Sequence, residues 1–155
     1  MGNETHIVGH GKTIRIDAPA VSFRFKDGAT IEAWEVVYHD SNPRLINASM
    51  IGDTSSNEFE IMLNAAALSL PHKAIKGIVA HEYGHYLHVK AHGARWHSRC
   101  LDEEYAADKI AADLVGKKCI LMALEATQKN WIAEEGKVSE ELIKRIARLK
   151  GYSAS

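Results

Sequence analysis

The sequence predicts an α+β domain, with the sheet first and the helices after it. Two patterns carry this. Up to about residue 63 apolar and polar residues alternate with the period of a strand, and from Pro71 onward the apolar residues recur at helical spacing. Length sets the domain count: 155 residues suffice for one hydrophobic core and not for two, so 1–155 is a single unit. Residues 1–70 are read as mainly strands and 71–151 as mainly helices.

Thr13–Ile16, Val21–Phe25 and Thr30–Tyr38 alternate as strands, and Asp27-Gly28 is the hairpin turn between the last two. Asp40-Ser41-Asn42-Pro43 marks a loop. Leu45–Ile51 and Phe59–Leu63 bracket a polar loop over 52–57, giving an antiparallel or mixed sheet of four or five strands. Pro71 stands where a first-turn proline would, and Ile75, Ile78, Val79, Tyr86 and Val89 trace the stripe of a helix that runs to Lys90, with Gly93 closing it. A second helix spans Cys100–Val115, with Asp102, Glu103 and Glu104 in its first turn and Gly116 beyond its end. Its alanines 106, 107, 111 and 112 allow neighbouring helices to approach closely. A third helix is expected over Lys118–Lys129. Ser139 caps a fourth, whose Leu142, Ile146 and Leu149 share a face and whose stop is Gly151.

Composition narrows the function classes. Nineteen basic and twenty acidic residues leave a net charge of −1, which argues against a nucleic-acid binder or an anionic membrane surface. No apolar run reaches the length of a membrane span, and the first residues lack the pattern of a signal peptide or of N-myristoylation. Two unpatterned cysteines, Cys100 and Cys119, fit a reducing compartment, so a cytoplasmic protein is the expectation. Against this ordinary background, six of nine histidines fall between His72 and His97, a density that points to metal.

Within that stretch stands His81-Glu82-Tyr83-Gly84-His85. Residues at i and i+4 of a helix share a face, about 5–6 Å apart at Cβ, so the two imidazoles can converge on one ion. Glu82 lies one position round and can reach a water at that ion without ligating it, the arrangement of the H-E-x-x-H metallopeptidase motif. Catalytic zinc takes a third protein ligand, and Glu104 on the next helix is the candidate. Asp108 lies four residues on, where it can accept a hydrogen bond from a ligand histidine and fix its tautomer. Asp102 and Glu103 are read as dipole complements only. A third ligand in the H-x-x-G-x-x-H style is excluded, because positions 88 and 91 are His and Ala. His88 and His92 are expected at the cleft or the solvent edge, and His97 and Cys100 as adventitious ligands at most. Tyr105, Arg95, His88, His92 and His97 all remain open as a second donor to an oxyanion. Tyr83 is expected to pack or to face solvent, Gly84 to let a strand or the Glu104 helix come close, and Trp34 and Trp96 to belong to the core.

The pair His81-Glu82-x-x-His85 and Glu104-x-x-Ala107-Asp108 resembles the gluzincin peptidases, in particular the CAAX prenyl protease and HtpX-like group. Similar too are Asn47-Ala48, Ile61–Leu70, Ile120–Glu125 and Arg145-Ile146-Ala147-Arg148-Leu149, so the resemblance covers roughly 31–149. It implies a zincin-like fold and one catalytic zinc on His81, His85 and Glu104, with Glu82 as general base and Asp108 supporting a ligand. It also implies a strand at Asn47-Ala48 that pairs with an extended protein or peptide substrate. The chain departs from the group in three places. It lacks membrane-spanning helices, only eighteen residues separate His85 from Glu104, and Lys137-Val138-Ser139 stands where a His-Pro pair often precedes the last helix. Two alternatives stand beside this reading: a repressor-cleaving peptidase of the ImmA type, and a non-catalytic module stabilised by zinc. A module of the second kind would have no use for Glu82. The pattern argues against a peptide deformylase, whose cysteine ligand precedes the motif, since both cysteines here follow it.

Overall fold

The computed structural model describes residues 5–8, 13–53, 56–92 and 100–152, with side chains over 18–52, 56–92 and 100–152. Among the described residues five strands, β1 (Thr5–Val8), β2 (Thr13–Arg24), β3 (Thr30–Tyr38), β4 (Ala48–Asp53) and β5 (Glu58–Leu63), precede five helices. These are α1 (Ala65–Leu68), α2 (His72–His92), α3 (Leu101–Val115), α4 (Lys117–Glu135) and α5 (Glu140–Lys150). The α+β class and the order of sheet and helices are as expected. No helix among the described residues is long and apolar enough to cross a membrane.

The strands form one mixed sheet in the order β1-β2-β3-β5-β4. All pairs are antiparallel except β3 with β5, which run parallel. That parallel pair places β4 at the sheet's edge, where, among the described residues, it pairs with β5 alone. β2 is one strand where two were expected, because it continues through Pro19. Its register with β3 shifts on both sides of that residue, as a proline without an N–H requires. The Asp27-Gly28 turn is present, with Gly28 at φ 87° and Ala29 N–H donating to Asp27 Oδ1 at 3.0 Å.

Leu45–Asn47 were expected to lie in the strand and instead precede it, because side chains take their hydrogen bonds in place of a ladder. Asn64 donates through Nδ2 to Leu45 O (2.8 Å) and accepts through Oδ1 from Asn47 N–H (3.1 Å). Asn130 on α4 accepts from Ile46 N–H (2.8 Å) and donates to Arg44 O (2.9 Å). Asn64 also caps α1 by accepting from Ala67 N–H at 3.0 Å, which makes a short helix where none was expected. Helix α4 runs six residues past its expected end, to Gly136, which stops it at φ 76° with its N–H on Ile132 O.

Phe23, Phe25, Ile31, Ala33, Ile61 and Leu63 of the sheet share one core with Ile75, Ile78, Val79, Tyr83 and Tyr86 of α2. Tyr83 packs rather than facing solvent. Its ring stacks between Phe25 (5.8 Å) and Phe59 (5.5 Å), and its hydroxyl donates to Asp27 Oδ2 at 2.8 Å, tying α2 to the hairpin turn. Two glycines then set the helix spacing. A Cβ on Gly84 would lie 2.7 Å from Ala107 O on α3, and one on Gly77 would lie 2.5 Å from Cys119 O on α4. α2 therefore sits between the sheet and two closely packed helices, and the Gly84 contact brings α3 beside the His81–His85 turn.

Candidate metal centre

His81 and His85 lie four residues apart on α2, and their rings meet edge to face at 4.6 Å between centroids. Glu104, in the first turn of α3, accepts through Oε2 from both: 2.9 Å from His81 Nε2 and 3.2 Å from His85 Nε2. One ligand atom from each of the three lies within 4.8 Å of the others. Zinc–ligand distances of about 2.0–2.2 Å at a tetrahedral angle put ligand atoms about 3.4 Å apart, and the two contacts to Glu104, at 2.9 and 3.2 Å, are close to that spacing. Two imidazole nitrogens and one carboxylate oxygen are a donor set that could hold a metal ion with a position left open.

His81 is held from behind. Its Nδ1 donates to Asp108 Oδ1 at 2.8 Å, which leaves Nε2 to face Glu104. Asp108 is 3% exposed and is itself clamped by Arg145 of α5, whose Nε and Nη2 donate to Oδ2 and Oδ1 at 2.9 Å each. Arg145 Nη1 also lies 3.7 Å from Glu104 Oε2. Burial acts to raise the pKa of both carboxyls, but hydrogen bonds and charge from His81, Arg145 and, for Glu104, His85 outweigh it and hold both below the usual carboxylate range. Burial and the Arg145 charge act to lower the His81 pKa; its hydrogen bonds to Asp108 and Glu104 overcome them and bring it up to about 9. Without an ion, the cluster attracts positive charge onto the histidine ring.

His81, Glu82 and Glu104 open onto a cavity of about 410 Å³. Asn47 and Ala48, the residue before edge strand β4 and its first residue, also line it. The cavity thus joins the expected ligands His81 and Glu104, the expected base and the expected strand residues. The candidates for a second donor fare differently. Tyr105 lines a neighbouring groove between α3 and α5, where the Arg148 guanidinium stacks on its ring at 4.6 Å. His88 and His92 pack against each other at 4.4 Å, away from the cavity lining, with His92 exposed. Arg95, Trp96 and His97, and the expected helix stop Gly93, lie outside the described residues. Cys100 is exposed at the start of α3 and takes no part in the cluster, and Trp34 is half-buried on β3, away from the cavity. The cation that does reach the cavity, Arg145, was noted in the sequence only as part of a flanking similarity. Trp131, also in its wall, carried no signal.

No family model, curated protein or solved structure matches this chain.

Proposed function

We propose that the chain is a zinc-dependent endopeptidase of the gluzincin type, with a zincin-like arrangement of its edge strand, motif helix and glutamate helix. The observation that carries this reading is the convergence of His81, His85 and Glu104 within 4.8 Å, two of which, His81 and Glu104, line a cavity with Glu82, Asn47 and Ala48. Two histidines held this way by chance would have no need of a third ligand on another helix, or of a buried carboxylate fixing one ring.

A zinc ion held by Nε2 of His81, Nε2 of His85 and the Glu104 carboxylate would supply Lewis acidity and lower the pKa of a water beside it. The protein's own residues do the rest. Asp108 holds the His81 proton on Nδ1, so Nε2 keeps its lone pair for the metal. Arg145 balances the Asp108 charge in a buried setting. Glu82 accepts the proton of the attacking water on its carboxylate and passes it to the departing amine nitrogen. The edge of β4, which begins at Ala48 directly after Asn47, pairs with the extended backbone of a protein or peptide substrate and lays the scissile bond across the cavity.

The purified chain should contain one zinc per molecule and cleave a mixed peptide library, and a chelator should abolish the cleavage. Glu104→Ala should lower zinc occupancy sharply. Unchanged occupancy in that variant would mean that the third ligand lies elsewhere.

A further inference from the structure

Six histidines fall between His72 and His97, and the cluster around Glu104 uses two of them. His88 and His92 continue the same helix, α2, at the same four-residue step as His81 and His85. Their rings lie 4.4 Å apart between centroids, against 4.6 Å for His81 and His85. His88 is half-buried and His92 exposed, and neither lines the cavity. One hydrogen bond prepares this pair for a cation. His92 Nδ1 lies 3.0 Å from the carbonyl oxygen of His88. A carbonyl can only accept, so Nδ1 carries the proton and Nε2 keeps its lone pair. The backbone thus does for His92 what Asp108 does for His81, fixing the tautomer and the plane of the ring. Because the acceptor is four residues back, the bond also draws the His92 ring over the turn that carries His88.

We infer that His88 and His92 form a second metal site, separate from the one at Glu104, for a divalent ion that favours imidazole: Zn²⁺, Ni²⁺ or Cu²⁺. This goes beyond the peptidase reading and does not rest on it. The helix sets the distance between the two sites. His88 and His92 stand seven residues after His81 and His85, so the second pair lies about 10 Å further along α2 and only about 20° round from the first. Paired catalytic ions stand about 3.5–4 Å apart. Ions on the two pairs would be too far from each other to share a ligand or a bridging water, so the second is not a partner in the reaction. Among the described residues only His81, His85 and Glu104 bring three ligating groups together, so water completes the coordination at His88 and His92. Two protein ligands at an exposed turn hold an ion less tightly than three beside a cavity. The second site should therefore fill after the first and exchange its ion faster.

The site can be tested without turnover. The full chain, carrying no histidine tag, is titrated with Zn²⁺ against a chromophoric chelator while its imidazole nitrogens are followed by ¹⁵N NMR. Before metal is added, His92 should show the Nδ1–H tautomer. The weaker equivalent should then shift His92 Nε2 and the His88 ring, assigned by their loss in His92→Ala and His88→Ala. Loss of an outer partner of a ligand already costs about 10–100-fold in metal affinity, so loss of either ligand should weaken this equivalent by at least about tenfold. His88→Ala retains the backbone carbonyl, so His92 should keep its tautomer in that variant and still lose the ion. Equal uptake by wild type and both variants, or a bound equivalent that leaves the His92 ring unmoved, overturns the proposal and makes the ion adventitious. The two sites fail separately. A single equivalent that is lost in Glu104→Ala and kept in His92→Ala would remove the second site and leave the peptidase reading intact. One that is lost in His92→Ala and kept in Glu104→Ala would do the reverse.

Discussion

Asp108 shows how much of the centre depends on single contacts. One oxygen takes the Nδ1 proton of His81, and Arg145 binds both oxygens, so the histidine is oriented by a carboxylate that cannot itself turn. Asp108→Ala should lower zinc affinity by about 10–100-fold, measured by competition with a chromophoric chelator, with His81, His85 and Glu104 all still present. Helical spacing made this residue legible, because His81 and His85 on one helix and Glu104 and Asp108 on the next repeat the same four-residue step. Arg145 was not legible as a partner, since 37 residues separate it from Asp108 and no local period joins them. Trp131 and Asn130 were hidden for the same reason: their roles depend on where α4 lies, not on α4's own pattern. Two tyrosines give a separate test, on the side of the molecule that holds α2 to the sheet. Burial pushes Tyr38 and Tyr83 up to about 12. Ser49 partly offsets the effect at Tyr38 and the Glu82 charge adds to it; the Asp27 hydrogen bond adds to it at Tyr83. A tyrosine whose folded pKa lies above its unfolded value of about 10 stabilises the fold fully below that pH and loses the contribution as pH rises through about 12. In an alkaline titration followed by tyrosinate absorbance, Tyr38 and Tyr83 should ionise late, as should Tyr152, which burial and its Asp113 hydrogen bond also raise, and Tyr83→Phe should remove one of these late groups.

Among the elements, α2 bears the constraint. It must pack on the sheet through Tyr83 and Tyr86 while accepting α3 and α4 at near-backbone distance through Gly84 and Gly77. The steric expectation for Gly84 was sound, and the neighbour is the glutamate helix rather than a strand. Gly84→Ala should cost about 1–3 kcal/mol in denaturant unfolding and should weaken zinc binding as well, because α3 has to move away from the motif turn. A stability loss without weaker zinc binding would show that the α2–α3 distance does not set the ligand geometry. The edge strand was harder to read. Leu45–Ile51 alternates well enough for a strand throughout, yet the asparagines at 64 and 130 claim the backbone of 44–47, and β4 starts only at Ala48. Side-chain competition for backbone groups leaves no trace in hydrophobic period.

For the molecule as a whole, sheet and helices divide the work. The parallel pairing of β3 with β5 puts β4 at the edge, and the two glycine contacts bring α3 and α4 against α2, so the cavity forms where edge strand, motif helix and glutamate helix meet. Sequence period gave the class and the order of elements, whereas the parallel pair is a long-range choice that alternation does not encode. The central claim is that this meeting point is catalytic and not merely a metal-stabilised binding surface, and Glu82 separates the two. It lines the cavity beside His81 and Glu104 and lies outside the three residues that could hold an ion. The most direct measurement compares wild type and Glu82→Gln for bound zinc and for cleavage of the same peptide library. The account predicts equal zinc in both proteins and a loss of cleavage by at least about 100-fold in the variant. Equal zinc with equal cleavage, or no cleavage by either protein, would contradict it.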